Sequence, residues 1–196
     1  MIYAFDLDGT VTREETLPLL ARELGLYEEM RLLTELTMQG TLDFKQSFRL
    51  RYHVLKSISI ERVQAIMDKV ELDKNIAGFI RERRASCAVV TGNLDVWIEP
   101  IIKKLGCRVF ASVSGRAADG SLTLESVLDK GHAVRKLKKE DKVVAIGESY
   151  NDIPMFEEAN YSIAYGGVHA PVETAISVAD WVVYEGGALC ALLRTL

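Results

Sequence analysis

Apolar and polar residues follow each other along this chain with two different periods. The chain begins with a short apolar run from Ile2 to Phe5, which is typical of a buried β-strand. Some sixty residues with helical periodicity follow, and from about residue 72 short apolar runs alternate with amphipathic helical segments. This order of elements predicts an α/β fold with a mostly parallel sheet, covered by helices on both faces.

The helical stretch after the first strand predicts four amphipathic helices joined by short connections. Each helix repeats apolar residues at helical spacing, and Asp43 and Ser59 are suitable N-caps for the third and the fourth. Four such helices form a small bundle, because each has one apolar face to bury. We expect this bundle, residues 14–71, to be inserted into a core domain made of residues 1–13 and 72–196. A bundle placed beside the strand ends would serve as a lid.

The remainder of the chain predicts the strands and helices of the core domain. Apolar runs and turn signals predict strands near 86–90, 107–111, 142–146, 161–165 and 180–183, with a β-hairpin between residues 113 and 123. The intervening helices are predicted near 73–84 and 95–105, after Lys130-Gly131, and around Met155 and Phe156. No internal repeat or disordered linker interrupts this alternation.

Composition and charge narrow the class of protein. The chain has 196 residues, of which 48% are hydrophobic and 27% charged, an ordinary mixture for a globular domain. Its net charge of −4 predicts no basic surface for nucleic acid or an anionic membrane, and no apolar run approaches membrane-spanning length. The three cysteines are widely spaced in apolar surroundings, which is typical of buried thiols rather than of disulfides or a zinc site. We therefore expect a cytoplasmic protein.

Polar motifs follow three of the predicted core strands, at the point where each strand ends. These motifs are Asp6-Leu7-Asp8, Thr91-Gly92, and Gly147-Glu148 followed by Asn151-Asp152, with Lys130 at the start of a helix between the last two. The carboxyl ends of parallel strands share one edge of the sheet, so these groups should converge. Carboxylates favour a hard cation such as Mg²⁺, while a hydroxyl, an ammonium and backbone amides hold phosphate oxygens. The motifs predict a site for a divalent cation and a phosphate.

In this order, the four motifs resemble those of the haloacid dehalogenase-type phosphatase superfamily: a D-x-D-x-T, a Ser/Thr-Gly, a distant Lys and a G-D-x-x-x-D. The helical insertion resembles the cap of the phosphoserine phosphatase branch. The resemblance implies a Rossmann-like core, Mg²⁺ as the cofactor, and Asp6 as the nucleophile that forms an aspartyl-phosphate. It also implies that Asp8 is the general acid toward the leaving oxygen and then the base for water, with its backbone carbonyl on the metal.

The resemblance also assigns the other site residues. It assigns phosphate binding to Thr91, Gly92, Lys130 and Asn151, and the metal shell to Asp6, Asp8, Glu148 and Asp152. Taken singly, Thr91 could be an ordinary strand-end threonine and Lys130 a surface lysine. The evidence for their roles therefore comes from the order of the motifs. Glu148 departs from the usual aspartate of the family, and Mg²⁺ requires ligand distances of roughly 2.0–2.1 Å. The longer side chain could ligate after a backbone shift or through a water molecule.

Four residues of the insertion resemble the substrate contacts of phosphoserine phosphatases. Glu15 matches a glutamate that binds the substrate ammonium, Arg51 an arginine that binds its carboxylate, and Met38 and Phe44 apolar residues that close the pocket. Phe44 and Arg51 lie on one stripe of a helix, where a guanidinium needs an acidic partner or a ligand. Two ordinary roles stay open: Arg51 paired with a glutamate of the bundle, and Glu15 as an acid favourable to a helix dipole.

We expect an Mg²⁺-dependent enzyme that hydrolyses a small phosphomonoester, with phosphoserine the best single candidate. Residues 147–152 are also similar to the G-D-S-Y-N-D of a phosphoserine:homoserine phosphotransferase branch, so transfer to a small alcohol such as homoserine stays open, as does another phosphorylated metabolite. Two non-enzyme alternatives are a phosphorylatable signalling module, against which the helical insertion counts, and a binding protein with a weakened metal site. The sequence leaves monomer and homodimer open, and it gives no role to His53, His132 and His169.

Overall fold

A computed structural model describes all 196 residues and contains a single seven-stranded sheet. The strands are Ile2–Phe5 (β1), Cys87–Leu94 (β2), Arg108–Arg116 (β3), Leu122–Ser126 (β4), Val143–Gly147 (β5), Tyr161–Tyr165 (β6) and Trp181–Val183 (β7). Their order across the sheet is β4-β3-β2-β1-β5-β6-β7, and every neighbouring pair is parallel except the β3–β4 hairpin. The predicted Rossmann-like α/β fold with a mostly parallel sheet is confirmed.

Ten α-helices accompany the sheet. They are Thr16–Ala21 (α1), Tyr27–Met38 (α2), Phe44–Leu55 (α3), Ile60–Met67 (α4), Lys74–Glu82 (α5), Asp95–Leu105 (α6), Lys130–Leu137 (α7), Ile153–Glu158 (α8), Glu173–Val178 (α9) and Gly186–Leu193 (α10). Successive side chains of β1 point to opposite faces, so Tyr3 and Phe5 join one buried cluster with α5, α6 and α10, whereas Ile2 and Ala4 join another with α7, α8 and α9. Helices therefore cover both faces, as predicted. None of the ten has the length and apolar character needed to cross a membrane.

The four predicted helices between the first two strands are present as α1 to α4. The two chain segments that connect them to the rest of the chain meet in a short antiparallel contact. Thr12 bridges Leu72, and the Arg13 amide donates a hydrogen bond to the Glu71 carbonyl oxygen at 2.9 Å. This contact lies at the predicted boundaries of the insertion. The division into a core domain and a lid domain stays a prediction.

The strand order reverses at β1, which lies between β2 and β5. The chain proceeds from β1 outward to β2, β3 and β4, and it then returns to the other side of β1 with β5. A crevice opens outside the carboxyl ends of strands at such a reversal. The chain leaves β1 through a turn at Gly9, whose φ of 76° lies in the left-handed region that suits glycine. The motif after β1 is thereby directed into the crevice.

Two local predictions are wrong in detail. The strand near 107–111 and the first arm of the hairpin form one continuous strand, β3, because a register shift between Val113 and Ser114 lets it change partner from β2 to β4. β2 also continues past residue 90 to Leu94, so the Thr91-Gly92 motif lies inside the strand. The sequence did not predict α9 and α10, since α9 has only six residues and α10 is apolar on most sides, without a helical period.

Candidate active site

Three carboxylates meet at the carboxyl edge of the sheet. Asp6 directly follows β1, Glu148 directly follows β5, and Asp152 belongs to the turn that leads into α8. All three are buried, and one oxygen atom from each lies within 4.8 Å of the others. The Glu148 carboxylate also accepts a hydrogen bond from the hydroxyl of Thr10. The longer side chain of Glu148 therefore reaches the same point as the two aspartates.

Lys130 joins this cluster from the first position of α7. The helix begins there because Asp129 caps it, accepting a hydrogen bond from the His132 amide at 2.8 Å. The Lys130 ammonium is only 4% exposed and donates to Asp6 and, at 2.6 Å, to Asp152. Burial favours the neutral amine, but the carboxylates of Asp152 and Asp6 outweigh it and raise the pKa of Lys130 above its ordinary value. The lysine is therefore positively charged at neutral pH.

The cluster contains more acidic than basic groups. Burial raises the pKa of Asp6 well above its ordinary value, although Lys130 opposes that effect. Burial and the neighbouring carboxylates of Asp6 and Asp152 likewise raise the pKa of Glu148. If all three acids are ionised, the single ammonium leaves two negative charges uncompensated. A divalent cation with oxygen ligands matches both this charge and this set of donors, so the residues present fit a hard metal ion.

The turn after β5 fixes the orientation of the Asp152 carboxylate. Its Oδ2 accepts hydrogen bonds from the amides of Glu148 and Ser149 and from the Ser149 hydroxyl, each at 2.9 Å. Its Oδ1 is left for Lys130. The side chain also lies directly against Gly147, where a Cβ atom would come within 2.4 Å of the Asp152 Cγ. Only glycine permits this approach, which keeps the carboxylate at the end of the strand.

Asp8 is not part of the three-carboxylate cluster. Its Oδ1 accepts hydrogen bonds from the hydroxyl of Thr16 and, at 3.0 Å, from the backbone amide of the same residue. Its Oδ2 accepts a hydrogen bond from the Asn93 side-chain amide at 3.2 Å. A carboxyl group that borders the site but stands apart from the cluster is suited to proton transfer. The contact of the Asp8 backbone carbonyl with a metal stays a prediction.

A small cavity of about 60 Å³ lies between the sheet edge and the inserted helices. Its wall includes eleven of the twelve predicted site residues, namely Asp6, Asp8, Glu15, Met38, Phe44, Arg51, Thr91, Gly92, Lys130, Glu148 and Asn151. The twelfth, Asp152, lies behind the wall in the carboxylate cluster. We call Asp6, Lys130, Glu148 and Asp152 the floor of the cavity, and Glu15, Met38, Phe44 and Arg51 its roof. The structure therefore brings together the residues that the sequence singled out.

Phe44 brings the roof into direct contact with the sheet edge. Its ring lies against Gly92, where a Cβ atom would come within 2.0 Å of the Phe44 Cζ. The ring is also stacked on Phe48 of the same helix, with ring centroids 5.8 Å apart. The inserted helices are therefore closed over the strand ends. A glycine at position 92 is what makes this closure possible.

Arg51 is a buried cation of the roof, with 4% of its surface exposed. It donates hydrogen bonds to the Thr34 hydroxyl at 3.2 Å and to the Ser47 carbonyl oxygen at 3.3 Å, both of which are neutral acceptors. It forms no ion pair, so the expected alternative of pairing with a glutamate of the bundle is not realised. Burial lowers the pKa of Arg51 to about 10, although Glu15 and Asp8 partly oppose this. The guanidinium stays charged and lines the cavity.

Glu15 supplies a carboxylate to the roof beside His169. It occupies the residue before α1 but makes no capping hydrogen bond, so its carboxylate is free to face the cavity. The His169 Nε2 lies 3.3 Å from the Glu15 Oε1, in an electrostatic contact rather than a well-aligned hydrogen bond. Burial raises the pKa of Glu15, and the histidine partly opposes this. Glu15 therefore borders the cavity, and a favourable interaction of its charge with the dipole of α1 stays open.

Five polar residues of the site received no role from the sequence: Thr10, Thr16, Asn93, Ser149 and His169. Thr10, Asn93 and Ser149 lie inside or directly beside the recognised motifs, so a closer reading of those motifs could have found them. Thr16 follows Glu15 and has no periodic signal of its own. His169 lies in the loop after β6, and only the tertiary fold brings it to Glu15.

Comparison with known proteins agrees with this geometry. A family model described as haloacid dehalogenase-like hydrolase matches residues 3–157. The phosphoserine phosphatase of Methanocaldococcus jannaschii is 34% identical over 175 residues, which cover 82% of this chain and 83% of that protein. The phosphoserine phosphatase of Streptococcus thermophilus is 26% identical over 178 residues, covering 84% of this chain and 83% of that protein.

Solved structures show the same relationship. A phosphoserine phosphatase with a phospho-aspartyl intermediate analogue has a TM-score of 0.81 and 30% sequence identity, covering 100% of this chain and 98% of the other. A substrate-bound phosphoserine phosphatase complex has a TM-score of 0.83 and 30% identity, covering 100% and 97%. The fold and the carboxylate site together define a hydrolase with a Rossmann-like core. More specifically, the chain belongs to the haloacid dehalogenase-like hydrolase family.

Proposed function

We propose that this chain is an Mg²⁺-dependent phosphatase that hydrolyses phosphoserine through an aspartyl-phosphate on Asp6. The observation that carries the proposal is the distribution of charge around one small cavity. Carboxylates and Lys130 at its floor suit a cation and a phosphate, whereas Arg51 and Glu15 at its roof offer one charge of each sign. Phosphoserine carries a phosphate, a carboxylate and an ammonium on one small carbon frame, so it matches both sides.

Asp6 is the proposed nucleophile. Its carboxylate oxygen forms a bond to phosphorus while the bond from phosphorus to the serine oxygen breaks, which leaves the phosphoryl group on Asp6. A carboxylate approaching a phosphate dianion is repelled unless positive charge lies beside both. The Lys130 ammonium is in contact with Asp6 and supplies part of that charge. Mg²⁺ held by Asp6, Glu148 and Asp152 would supply the remainder when bound.

Asp8 is the proposed acid and base. It gives its proton to the serine oxygen as that oxygen leaves. It then takes a proton from a water molecule, whose oxygen forms a bond to phosphorus while the bond from phosphorus to the Asp6 oxygen breaks. Release of inorganic phosphate restores both carboxyl groups. The hydroxyl of Thr91, the amide of Gly92 and the side chain of Asn151 all border the cavity and are proposed to hold the phosphate oxygens.

The roof is proposed to recognise the amino-acid part of the substrate. Arg51 would bind the substrate carboxylate, because a buried guanidinium with only neutral acceptors gains most from an anion. Glu15 would bind the ammonium. At about 60 Å³ the cavity is well below the roughly 300–1,000 Å³ of pockets for larger ligands, which supports a small metabolite. Met38 and Phe44 close it, so residues 14–71 would act as the lid.

The relatives support the same assignment. Those described above are named phosphoserine phosphatases, and one of the solved structures is described as substrate-bound. All three cysteines are free thiols, which supports a reducing, cytoplasmic setting.

The test is an Asp6→Asn variant, which keeps the size of the side chain but removes the nucleophile. With Mg²⁺ present, we expect turnover of both phosphoserine and para-nitrophenyl phosphate to fall by on the order of 10³ or more. Asp119→Asn, an exposed aspartate of the β3–β4 hairpin, serves as the matched control and should keep full activity. Thermal unfolding would show that both variants are folded. Retained turnover in Asp6→Asn would refute the proposal.

A second candidate activity is transfer of the phosphoryl group to a small alcohol such as homoserine. The observation that favours it is a second cavity of about 230 Å³, which shares Phe44, Lys130 and Asn151 with the first and could admit an acceptor. The test is to supply phosphoserine with and without homoserine and to measure phosphohomoserine and inorganic phosphate separately. A product ratio that does not depend on homoserine would exclude the transferase activity.

A further inference from the structure

We infer that Asn93 and Thr16 form a clamp that positions Asp8 for proton transfer to the leaving oxygen. The clamp would adapt this chain to phosphate esters of weakly acidic alcohols, whose oxygen leaves only with a proton. The inference rests on the proposed function, because it takes Asp8 as the acid. Both residues are buried, and Asn93 borders the same cavity as Asp8.

The clamp consists of a closed set of hydrogen bonds. Asp8 Oδ1 accepts from the Thr16 hydroxyl and from the Thr16 backbone amide, and Asp8 Oδ2 accepts from Asn93 Nδ2 at 3.2 Å. Asn93 Nδ2 also donates to the Thr16 hydroxyl oxygen at 2.7 Å. Each of the three side chains is therefore tied to the other two. A carboxyl group held at both oxygens cannot rotate freely about its last bond.

The orientation of the Asn93 amide is itself fixed. Its Oδ1 accepts a hydrogen bond from the Leu94 backbone amide at 2.8 Å, so its NH₂ group must face Asp8 and Thr16. The Asn93 backbone amide donates to the Thr91 hydroxyl at 3.1 Å, which holds the residue at the end of β2. The residue is only 3% exposed. Asn93 is thus a rigid donor directed at the acid.

The hydrogen bonds are distributed unequally over the two oxygens of Asp8. Oδ1 receives two donors from Thr16, whereas Oδ2 receives only the longer bond from Asn93. Oδ2 is therefore the oxygen that retains a lone pair to carry the proton to the substrate. The three donors also stabilise the negative charge that Asp8 acquires when it releases this proton.

The clamp joins the two parts of the chain. Thr16 is the first residue of α1 in the insertion, whereas Asp8 and Asn93 belong to the sheet edge. The hydrogen bonds from Thr16 can form only when α1 is docked on that edge. Closure of the roof would therefore position the acid at the same moment as it encloses the substrate.

A leaving-group comparison separates this role from a general structural one. As the phosphorus–oxygen bond breaks, the proton passes from Asp8 Oδ2 to the bridging oxygen, and the electron pair of the broken bond stays on that oxygen. A serine alkoxide is a strong base and needs this proton, whereas nitrophenolate is stable without it. Loss of the clamp should therefore affect phosphoserine much more than para-nitrophenyl phosphate.

The experiment measures kcat/KM with Mg²⁺ for both substrates in Asn93→Ala, Thr16→Val and Thr16→Ser. The ratio kcat/KM is chosen because it reports the step in which the alcohol leaves. For Asn93→Ala and Thr16→Val we expect a loss of about tenfold to a hundredfold on phosphoserine and less than about threefold on the nitrophenyl ester. Thr16→Ser, which keeps the hydroxyl, should retain more phosphoserine activity than Thr16→Val. Thr41→Val, at an exposed threonine of the insertion, is the control for the general effect of replacing a threonine by valine.

A series of substituted phenyl phosphates sharpens the result. The variants should show a steeper dependence of log kcat/KM on the acidity of the leaving phenol than the wild type, and Asp8→Asn should show the steepest. Equal losses on both substrates, or no loss on either, would overturn the clamp. If Asn93→Ala does not fold, the isosteric Thr16→Val decides alone. Failure of the proposed function looks different, since the wild type itself would then show no turnover that depends on Asp6.

Discussion

The charged groups at the floor of the cavity and those at its roof differ in their hydrogen-bonding partners. At the floor, Lys130 is bonded to two carboxylates, and Asp152 accepts hydrogen bonds at both of its oxygens. At the roof, Arg51 has only neutral acceptors, and Glu15 has a single histidine beside it. All four floor residues are buried, as is Arg51, whereas the Glu15 side chain is 18% exposed.

Under the proposed function, this difference separates a surface that reacts with the phosphate from a surface that recognises the rest of the substrate. Groups that stabilise a transition state must be oriented before the substrate arrives, and the paired floor meets that requirement without further rearrangement. A charged group that binds a ligand lacks an oppositely charged partner in the free protein, and the correct substrate supplies that partner. Changes at the floor should therefore reduce activity on every phosphate ester, whereas changes at the roof should act on particular substrates.

The largest effect is expected from Lys130→Met, which removes the only cation of the floor. Turnover of phosphoserine and of para-nitrophenyl phosphate should fall together, by on the order of 10³. Without divalent cations the free energy of unfolding should also fall by roughly 3–5 kcal/mol, because buried carboxylates lose their partner. Steady-state kinetics and denaturant titration measure the two quantities. Lys139→Met, an exposed lysine after α7, is the control, and selective loss on one ester would contradict the division between floor and roof.

Arg51→Met should have the next largest effect and should act on one substrate. We expect kcat/KM for phosphoserine to fall by about a hundredfold, which corresponds to loss of one charge-assisted hydrogen-bonded contact, and that for the nitrophenyl ester by less than about threefold. Stability should stay equal or rise, because a buried guanidinium without an ion pair is replaced by an apolar side chain.

Arg49→Met provides the matched control for Arg51→Met, since it lies on the same helix but is exposed. It should leave both kinetic constants and the thermal midpoint close to those of the wild type. A similar loss on the two esters in Arg51→Met would show that Arg51 belongs to the reacting surface. A marked fall in its stability would show that the guanidinium supports the fold.

Gly40→Ala should have a smaller effect, because it disturbs a contact between the inserted helices and the turn after β5. Gly40 follows α2 with a φ of 77°, and a Cβ atom there would come within 2.6 Å of the Tyr150 ring. Gly25 has a similar φ of 69° but no atom within 4 Å, so Gly25→Ala carries the same backbone strain without the clash. The KM for phosphoserine should rise about three- to tenfold more in Gly40→Ala than in Gly25→Ala. Equal values would mean that this contact does not hold the roof closed.

The sequence predicted which residues form the floor, but it did not predict the contacts between their side chains. Apolar runs followed by acidic motifs were sufficient to predict that Asp6, Lys130 and Asp152 would converge, because parallel strands end at one edge. The same pattern could not show that Glu148 compensates for its extra methylene, or that Arg51 lacks an acidic partner. Those facts depend on the packing of helices far apart in the chain. The short α9 and the uniformly apolar α10 were missed because neither has a helical period.

Only the tertiary fold brings His169 to its partner Glu15, and substitution of His169 is expected to have the smallest effect. Contact with the Glu15 carboxylate raises the pKa of His169 above its ordinary value of 6.5. A raised pKa in the folded protein stabilises it fully below about pH 6.5, and this stabilisation is lost as pH rises through the folded pKa. Because the side chain is 39% exposed, the contribution should not exceed about 0.5 kcal/mol.

Denaturant titrations at pH 6 and pH 8 should therefore show that the stability difference between wild type and His169→Gln shrinks at the higher pH. The exposed His132→Gln is the control. A difference that grows toward pH 8 would mean that the pKa of His169 is lowered in the folded protein, so that Glu15 keeps its full negative charge for the substrate ammonium.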